Sequence, residues 1–328
     1  MELEREQATP GLVVRPMAVE PANDPAELVR FAFVADRARP FDETLGLDFL
    51  GGSLTGESWG IGAAIEQGEV DGLRFARSDD FVFAALDWPD GPEADAAEVT
   101  YRAYRRMIDW IRQQSCQHWL RAWNFLPAIN RGEGDQERYR QFCVGRARAL
   151  IEAGLCERSM CAATAIGGDE AKFRLQVLAG RLPGEAIENP RQVSAYDYPR
   201  DYGPRSPAFA RATALRQPDG EVVLLVSGTA SVVGHETRHD GDTLAQLDEI
   251  LINLDALLSQ SARQLAHPDL EQAADRGGLL RVYLRDGSDW PAVQAHLARR
   301  WPSAHLAGLR GDVCRADLLV EIEAVFRA

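Results

Sequence analysis

Residues 209–226, FARATALRQPDGEVVLLV, decide the fold of the second half of this 328-residue chain. Two apolar runs flank Gln217-Pro-Asp-Gly220, a turn sequence, and the stretch therefore predicts a β-hairpin. Residues 243–260 carry leucines and isoleucines along one stripe, which predicts an amphipathic helix. The elements expected after it are a strand, a helix and a final strand, at residues 279–284, 290–300 and 317–325.

The first half repeats this order of elements. The patterns predict a hairpin, a helix, a strand, a helix and a closing strand, at residues 73–86, 96–114, 118–126, 135–153 and 173–178. Each half is thus expected to be a ββαβαβ unit, an α+β fold in which helices cover one face of a mixed sheet. The expected boundaries are residues 71–200 for the first unit and 201–328 for the second, with residues 1–70 as an extension packed on the first unit.

Composition excludes several classes of partner. The net charge of -14 argues against nucleic acid or an anionic membrane, and the longest apolar run is too short to cross a bilayer. Residues 1–10 are charged and do not resemble a signal peptide, while five cysteines without paired spacing suit a reducing compartment. We therefore expect a cytoplasmic protein. Lys172 is the only lysine among 36 basic residues, so an anionic ligand would meet guanidinium groups.

Residues 235–239, HETRH, match the zinc-protease pattern H-E-x-x-H. That pattern needs a helix to bring both histidines to one metal. Here the segment follows a predicted strand and precedes Asp240-Gly-Asp242, strong turn chemistry, so the helix is expected to begin only after Asp242 as its N-cap. No third ligand is evident, and we expect no metal site.

Arginines mark two places where an anion could bind. On the helix at 135–153, Arg146 lies on the apolar face beside Phe142 and Leu150 and therefore needs a buried anionic partner. The sequence favours an internal carboxylate, and a ligand carboxylate is the alternative. In the loop YGPRSPAFAR, residues 202–211, Arg205 and Arg211 could hold a carboxylate by bidentate bonds, with Tyr202 donating another. The alternative is a surface loop with solvated or surface-paired arginines.

The last 110 residues resemble the RidA family of small α+β proteins. The resemblance is carried by VYLRDGSDW (282–290), RWPS (300–303) and DLLVEIEAV (317–325). It implies two RidA-like units and places Glu321 in a carboxylate-binding cleft. The cleft arginine of that family does not carry over, because Ser303, Ala304 and His305 follow Pro302.

A more specific resemblance, to the chorismatases, covers most of the chain. Its motifs are WNFLPAIN (123–130), ERYRQFCVGR (137–146), YPRDYGPRSPAFAR (198–211) and SGTASVVGH (227–235). These enzymes have RidA-like architecture and remove the enolpyruvyl side chain of chorismate as pyruvate.

The chorismatase resemblance implies roles for individual residues. Substrate would be bound by Tyr202, Arg205, Arg211 and Arg146 and by the strand end Gly228-Thr229-Ala230-Ser231. Glu321 would be the general acid/base. Cys314 matches the branch that makes 3-hydroxybenzoate, with 4-hydroxybenzoate as a minor product, and the second unit would carry most catalytic residues.

Two other functions stay open at the level of sequence. In a hydrolytic chorismatase, Glu321 would activate water and the ring would keep both hydroxyls. A RidA-like ligand-binding protein would bind without turnover. The expected partner is the small molecule chorismate, without cofactor, metal, nucleic acid or membrane. Because RidA proteins are trimers, a homo-oligomer is also an open alternative.

Overall fold

A computed structural model of the chain describes residues 11–17, 26–34, 42–91 and 93–328. The expectation for residues 1–10 therefore lies outside the described residues. The helices are α1 Ala96–Ile111, α2 Arg138–Glu152, α3 Thr243–Leu265, α4 Ala273–Arg276 and α5 Trp290–Arg300. The strands are β1 Val13–Pro16, β2 Glu27–Ala32, β3 Asp48–Gly51, β4 Gly56–Gly60, β5 Glu66–Val70, β6 Leu73–Arg77, β7 Phe81–Pro89, β8 His118–Pro127, β9 Ala162–Gly168, β10 Lys172–Gly180, β11 Glu185–Ile187, β12 Ala212–Arg216, β13 Val222–Ala230, β14 Val232–Val233, β15 Glu236–Thr237, β16 Leu279–Leu284, β17 His305–Arg310 and β18 Val320–Arg327.

Two mixed sheets with similar connectivity form the body of the molecule. The first sheet has the strand order β5-β6-β7-β10-β8-β9, and the second has β11-β12-β13-β18-β16-β17-β3. In each sheet one neighbouring pair is parallel, β8 with β9 and β16 with β17, and the other pairs are antiparallel. The predicted α+β class is confirmed.

Between its second long helix and its closing strand, each unit contains a strand that the sequence pattern does not predict. β9 and β17 precede the closing strands β10 and β18, so the order is ββαβαββ. The extra strands read AATAIGG and HLAGLR, which lack both strict alternation and a long apolar run. They are strands because their backbone groups pair with the buried strands β8 and β16, a tertiary effect that local propensity does not contain.

The helices cover one face of each sheet. Buried side chains of α1 and α2 form one core with the first sheet, and those of α3 and α5 form a second core with the second sheet. Asp95 caps α1, and Asp242 caps α3 by accepting a hydrogen bond from Ala245 N at 3.0 Å. The predicted start of α3 after Asp242 is confirmed, and the helix runs to Leu265, beyond the predicted end.

The helix-free faces of the two sheets share a third core with a three-stranded sheet of order β1-β4-β2. The N-terminal segment also supplies a strand to each large sheet, β5 to the first and β3 to the second. The unit boundaries at residues 70 and 200 stay predictions.

A buried ion network crosses this third core and consists of Glu57, Arg281, Glu323 and Arg121. Arg281 donates to both carboxylate oxygens of Glu57, at 2.9 and 2.6 Å, and its Nη1 lies 2.9 Å from Glu323 Oε1. Arg121 Nη2 donates to Glu323 Oε2 at 2.9 Å, and Trp123 Nε1 donates to Oε1 at 3.0 Å. The network links the N-terminal segment to strands of both large sheets.

Candidate active site

The edge of the first sheet meets an irregular stretch of the second. The pairing of β13 with β18 shifts register between Val226 and Thr229, which frees the residues at the shift from the ladder. β9 bonds to the residues at this shift: its backbone Ala163 N donates to Ser227 Oγ at 2.9 Å, and its side-chain Thr164 Oγ1 accepts from Gly228 N at 3.1 Å. The bulge therefore opens a space between the two sheets.

A cavity of about 360 Å³ occupies this space. Its volume lies within the range of small-molecule sites, about 300–1,000 Å³. The walls come from β8, β9, α2, the segment before β12, the end of β13 and the loop before β18. The lining residues are Asn124, Glu137, Tyr139, Arg140, Arg146, Ala163, Thr164, Ala165, Gln192, Tyr198, Asp201, Tyr202, Pro207, Phe209, Arg211, Gly228, Ala230, Val232, Cys314, Arg315, Ala316, Asp317, Leu318 and Glu321.

The structure brings most of the sequence-predicted site residues to this one cavity. They are Arg146, Tyr202, Arg211, Gly228, Ala230, Cys314 and Glu321.

Three predicted binding residues do not line it. Arg205 is exposed on the loop. Thr229 is buried and donates to Ser227 O at 3.1 Å, while Ser231 donates to Arg238 O at 2.9 Å. These two hydroxyls bond to the backbone of their own chain segment. The placement of Thr229 follows from strand alternation, which turns successive side chains of β13 to opposite faces.

Glu321 is the carboxylate of the cavity. It lies on β18, is only 4% exposed, and its carboxylate has no hydrogen-bond partner among the described residues. Burial raises the pKa of Glu321 to about 8, and the neighbouring charge of Glu323 adds to the increase, while Arg121 and Arg211 oppose it. At neutral pH this group is a protonated acid next to open space.

Gly228 makes room for that carboxyl group. A Cβ atom at this position would lie 1.9 Å from Glu321 Oε1, so no larger residue fits without displacing the acid. The β13 bulge and the glycine together bring the backbone of one strand against the side chain of its neighbour.

Cys314 is half-buried in the loop before β18. Burial raises the pKa of its thiol to about 12, and the nearby Glu321 adds to the increase. The group is a neutral thiol at physiological pH, which makes it a weak hydrogen-bond donor and a poor nucleophile.

Arg146 does not have the internal carboxylate that the sequence favours. Its side chain is 3% exposed, no Asp or Glu of the described residues forms an ion pair with it, and Nη2 is buried without a partner. The guanidinium lies 4.9 Å from the ring centroid of Phe142. A buried cation with an unused donor at a cavity wall is a ready anion-binding group.

Two further arginines face the cavity and form no ion pair with a carboxylate within 4.0 Å in the described part of the chain. Arg211 Nη2 donates to Val193 O at 2.8 Å and Tyr198 Oη at 2.9 Å, and its Nε is buried and unused. Arg315 Nη1 donates to His235 O at 2.8 Å, and its guanidinium lies 4.1 Å from the ring centroid of Tyr202. The aromatic rings hold both cations in place while leaving charge for a ligand.

Sequence reasoning missed Arg315. Its signal was weak, because an arginine next to Cys314 in a loop looks like any surface charge. Thr164 and Asn124 were also missed, since β9 was not predicted and Asn124 sits within an apolar strand. Only the packing of β9 against β13 brings these side chains into one wall.

The HETRH segment does not bring its two histidines to a shared partner. His235 Nδ1 lies 3.3 Å from Tyr202 Oη, and His239 Nε2 lies 3.3 Å from Glu249 Oε2, so the two rings have separate partners. No group of three or more His, Cys, Asp or Glu side chains within the described ranges is placed to hold a metal ion. Through Tyr202 and Arg315, His235 supports the cavity wall.

None of the helices in the described ranges has the length and apolar character needed to span a membrane.

Comparison with known proteins gives consistent matches. Residues 57–179 match the family model described as chorismatase FkbO/Hyg5-like, N-terminal. A 3-hydroxybenzoate synthase of Streptomyces hygroscopicus is 40% identical over 277 residues, which span 82% of this chain and 80% of that protein. A chorismatase of Streptomyces rapamycinicus is 37% identical over 277 residues, 82% of this chain and 81% of the relative. A chorismatase crystal structure superposes with a TM-score of 0.79 at 30% identity and covers 97% of this chain and 98% of its own.

Proposed function

The chain belongs to the chorismatase family, and we propose that it converts chorismate to 3-hydroxybenzoate and pyruvate without a metal ion. The reaction is a lyase reaction and consumes no water. The bond between ring C3 and the ether oxygen breaks, the methylene of the departing enolpyruvyl group gains a proton, and the ring aromatises. The relative named 3-hydroxybenzoate synthase supports this choice of product.

One observation carries the proposal: a single cavity combines a protonated carboxyl group with three arginines that form no close ion pair among the described residues. Chorismate has two carboxylates and needs one proton at its enolpyruvyl methylene. Arg146, Arg211 and Arg315 supply guanidinium groups for the carboxylates, since such forks bind carboxylates by paired hydrogen bonds. Arg205, predicted for this role, lies outside the cavity lining.

Glu321 is the proposed general acid. It protonates the enolpyruvyl methylene, and its carboxylate then accepts the proton that the substrate's 4-hydroxyl loses as its oxygen bonds to ring C3. The pKa of about 8 suits this task, because the group is mostly protonated at neutral pH and still ionises readily. Its lack of a protein partner leaves the acid proton for the substrate.

Cys314 is the proposed product-steering residue. The 4-hydroxyl attack gives a ring epoxide, which opens at C4 to leave oxygen on C3, or at C3 to leave it on C4. The first route ends at 3-hydroxybenzoate after a ring proton is lost and an oxygen gains one. A neutral thiol donates a weak hydrogen bond and fills one side of the ring site. This biases the epoxide toward opening at C4, the route to 3-hydroxybenzoate.

The decisive experiment incubates the purified protein with chorismate in the presence of a chelator. Pyruvate is followed with lactate dehydrogenase, and the ring products are separated by chromatography. We expect pyruvate and 3-hydroxybenzoate in equal amounts. Absence of pyruvate would refute the proposal that the protein is a chorismate-cleaving enzyme. A non-aromatic diol would assign it to the hydrolytic branch. Activity that a chelator abolishes and zinc restores would refute metal independence.

A Cys314→Ala variant tests the steering role separately. We expect pyruvate release to persist while the share of 3-hydroxybenzoate falls. Cys143→Ala is a matched control, because that buried cysteine lies on α2 and does not line the cavity. An unchanged product in Cys314→Ala would remove Cys314 from the proposal.

A further inference from the structure

The loop between β17 and β18, residues 311–319, contributes Cys314, Arg315, Ala316, Asp317 and Leu318 to the cavity lining. Cys314 and Arg315 both project from it, and the loop has little regular structure of its own. Asp312 N donates to Gly167 O at 3.1 Å, and Gly167 N donates to Asp312 O, so β9 holds one end of it. Something else must fix the backbone around Cys314.

Arg285, which directly follows β16, supplies that support. Its Nη2 donates to Val313 O at 3.2 Å and to Arg315 O at 3.0 Å. Its Nε donates to Leu318 O at 3.1 Å, and Nη1 donates to Asp312 Oδ1 at 2.7 Å. One planar guanidinium thus connects to four residues of the same loop.

Two of these bonds lie directly on either side of Cys314. The Val313 carbonyl belongs to the peptide group directly before Cys314, and the Arg315 carbonyl belongs to the peptide group between residues 315 and 316. Holding both carbonyls restrains the backbone before and after the cysteine. The direction in which the Cys314 thiol projects depends on those backbone dihedral angles. The far end of the loop is fixed independently, since Gln246 Nε2 donates to Asp317 O at 2.8 Å and Leu319 N donates to Gln246 Oε1 at 2.8 Å.

Arg285 itself does not line the cavity that contains Glu321 and Cys314. It lines a second cavity of about 420 Å³ together with Arg310, and Cys314 does not line that cavity. Any effect on the reaction must therefore pass through the loop, which makes Arg285 a candidate positioning residue.

We propose that Arg285 determines which aromatic product forms, by bonding to the carbonyls on both sides of Cys314 and so fixing the thiol against the ring site. The inference rests on the proposed function. Glu321 is independent of this support, because it lies on β18 between β13 and β16 and is held by both ladders. Arg285 therefore affects product choice more than pyruvate release.

The test compares Arg285→Lys and Arg285→Met with wild type in the chorismate assay. A lysine ammonium presents its donors from a single nitrogen and cannot span the four partners that the planar guanidinium bonds, and methionine donates to none. We expect the ratio of 3-hydroxybenzoate to all other ring products to fall about tenfold in Arg285→Met and about threefold in Arg285→Lys, as for a reacting group displaced by a fraction of an ångström. Pyruvate release per enzyme should change less than the ratio, and the KM for chorismate should rise as Arg315 shifts.

The product ratio does not depend on how much protein is folded, so partial unfolding cannot imitate the effect. Arg310→Lys is the matched control, because Arg310 lines the same second cavity but pairs with Asp48 and Asp169. Asp312→Asn removes the ion pair of Arg285 and leaves its three carbonyl bonds. Both controls should keep the wild-type ratio.

The outcomes separate the two proposals. Wild-type protein that releases no pyruvate would overturn the proposed function and this inference with it. Wild-type activity with an unchanged ratio in Arg285→Met would overturn the inference alone. An altered ratio in Asp312→Asn equal to that of Arg285→Met would also overturn it, because the ion pair rather than the carbonyl bonds would then fix the thiol.

Discussion

Two carboxylates lie two residues apart on the same face of β18, in opposite surroundings. Glu323 belongs to the buried ion network and accepts hydrogen bonds from Arg121 and Trp123, and Arg281 holds it as well. Glu321 lies at the cavity without a hydrogen-bond partner among the described residues. Burial acts on both, but the arginines lower the pKa of Glu323, whereas the pKa of Glu321 rises to about 8.

The arginines show the same contrast. Arg281 is matched by two carboxylates within the fold, while Arg146 is equally buried and keeps an unused donor. A charge that the protein pairs internally cannot lose its partner without a cost in stability, and a charge that it leaves unpaired is free to act on a ligand. The comparison predicts that substitutions in the network change stability and those at the cavity change activity.

The largest effect is expected for Glu321→Gln. The amide keeps the shape but cannot transfer a proton, so kcat for pyruvate release should fall about 1,000-fold, within the range for loss of a general acid. The coupled pyruvate assay measures it, with Glu236→Gln on the exposed hairpin as control. Retention of more than a tenth of the activity would show that another group donates the proton.

Removing one cation from the network should mainly destabilise the fold. Arg281→Met leaves Glu57 and Glu323 buried without their shared partner, and the free energy of unfolding should fall by about 3–5 kcal/mol. Urea unfolding followed by tryptophan fluorescence measures it. Arg300→Met is the control, because Arg300 forms ion pairs with Asp255 and Asp275 at the surface and should change stability by less than about 1 kcal/mol. Equal losses of unfolding free energy in Arg281→Met and Arg300→Met would contradict the assignment of a stabilising role to the buried network.

Removing the unpaired cation should affect activity and leave stability unharmed. Arg146→Met eliminates a guanidinium with a buried unused donor, so stability should stay level or increase, while the KM for chorismate rises about 10- to 100-fold through loss of a charged hydrogen bond. Arg148→Met on the same helix is the control, since Arg148 is exposed and pairs with Glu98 and Glu152. A stability loss comparable with that of Arg281→Met would mean that Arg146 has a structural partner.

The pH dependence separates the two glutamates further. The acid form of Glu321 is needed, so kcat/KM, which reports the ligand-free enzyme, should fall about tenfold per pH unit above its pKa of about 8. The charge of Glu323 raises this pKa, and the opposing charges are those of Arg121 and Arg211. Glu323→Gln should therefore move the alkaline limb to lower pH. A limb that stays in place in this variant would show that burial alone sets the pKa.

Stability should follow the same titration with a defined sign. The folded pKa of Glu321 lies above the ordinary value, so the folded state holds its proton where the unfolded chain has lost it. The free energy of unfolding should therefore decrease as pH rises from about 4.5 to about 8, by up to about 5 kcal/mol. Glu321→Gln should remove that slope, as urea unfolding across the pH range would reveal.

Sequence patterns predicted the elements that carry their own signal. The hairpins at 73–86 and 209–226, the long helix after Asp242 and the strand with Glu321 all combine periodicity with turn or capping residues. The strands β9 and β17 were missed, because their residues are small or mixed and their pairing with β8 and β16 has no local signal. Local patterns cannot show such pairing.

The sequence predicted those parts of the site that a motif or a charged residue on an apolar helix face marked. Arg146 was found as a cation on an apolar face, and its partner was predicted wrongly because the cavity is absent from the sequence. Arg205 and Arg211 look alike in one loop, and only the packed structure shows that Arg211 turns inward. Arg315 and Arg285 act through loop geometry, which no spacing rule describes.

The ion pair between Glu57 and Arg281 also has a consequence in time. The two residues are 224 positions apart, and at about 5–20 residues per second a ribosome adds Arg281 roughly 10 to 45 s after Glu57. During that interval the strand with Glu57 has its carboxylate but not its cation, so burying it would be unfavourable. Assembly of the shared core is thereby postponed until more than half of the second unit has been synthesised, and the acidic side chain keeps the early segment hydrated in the meantime.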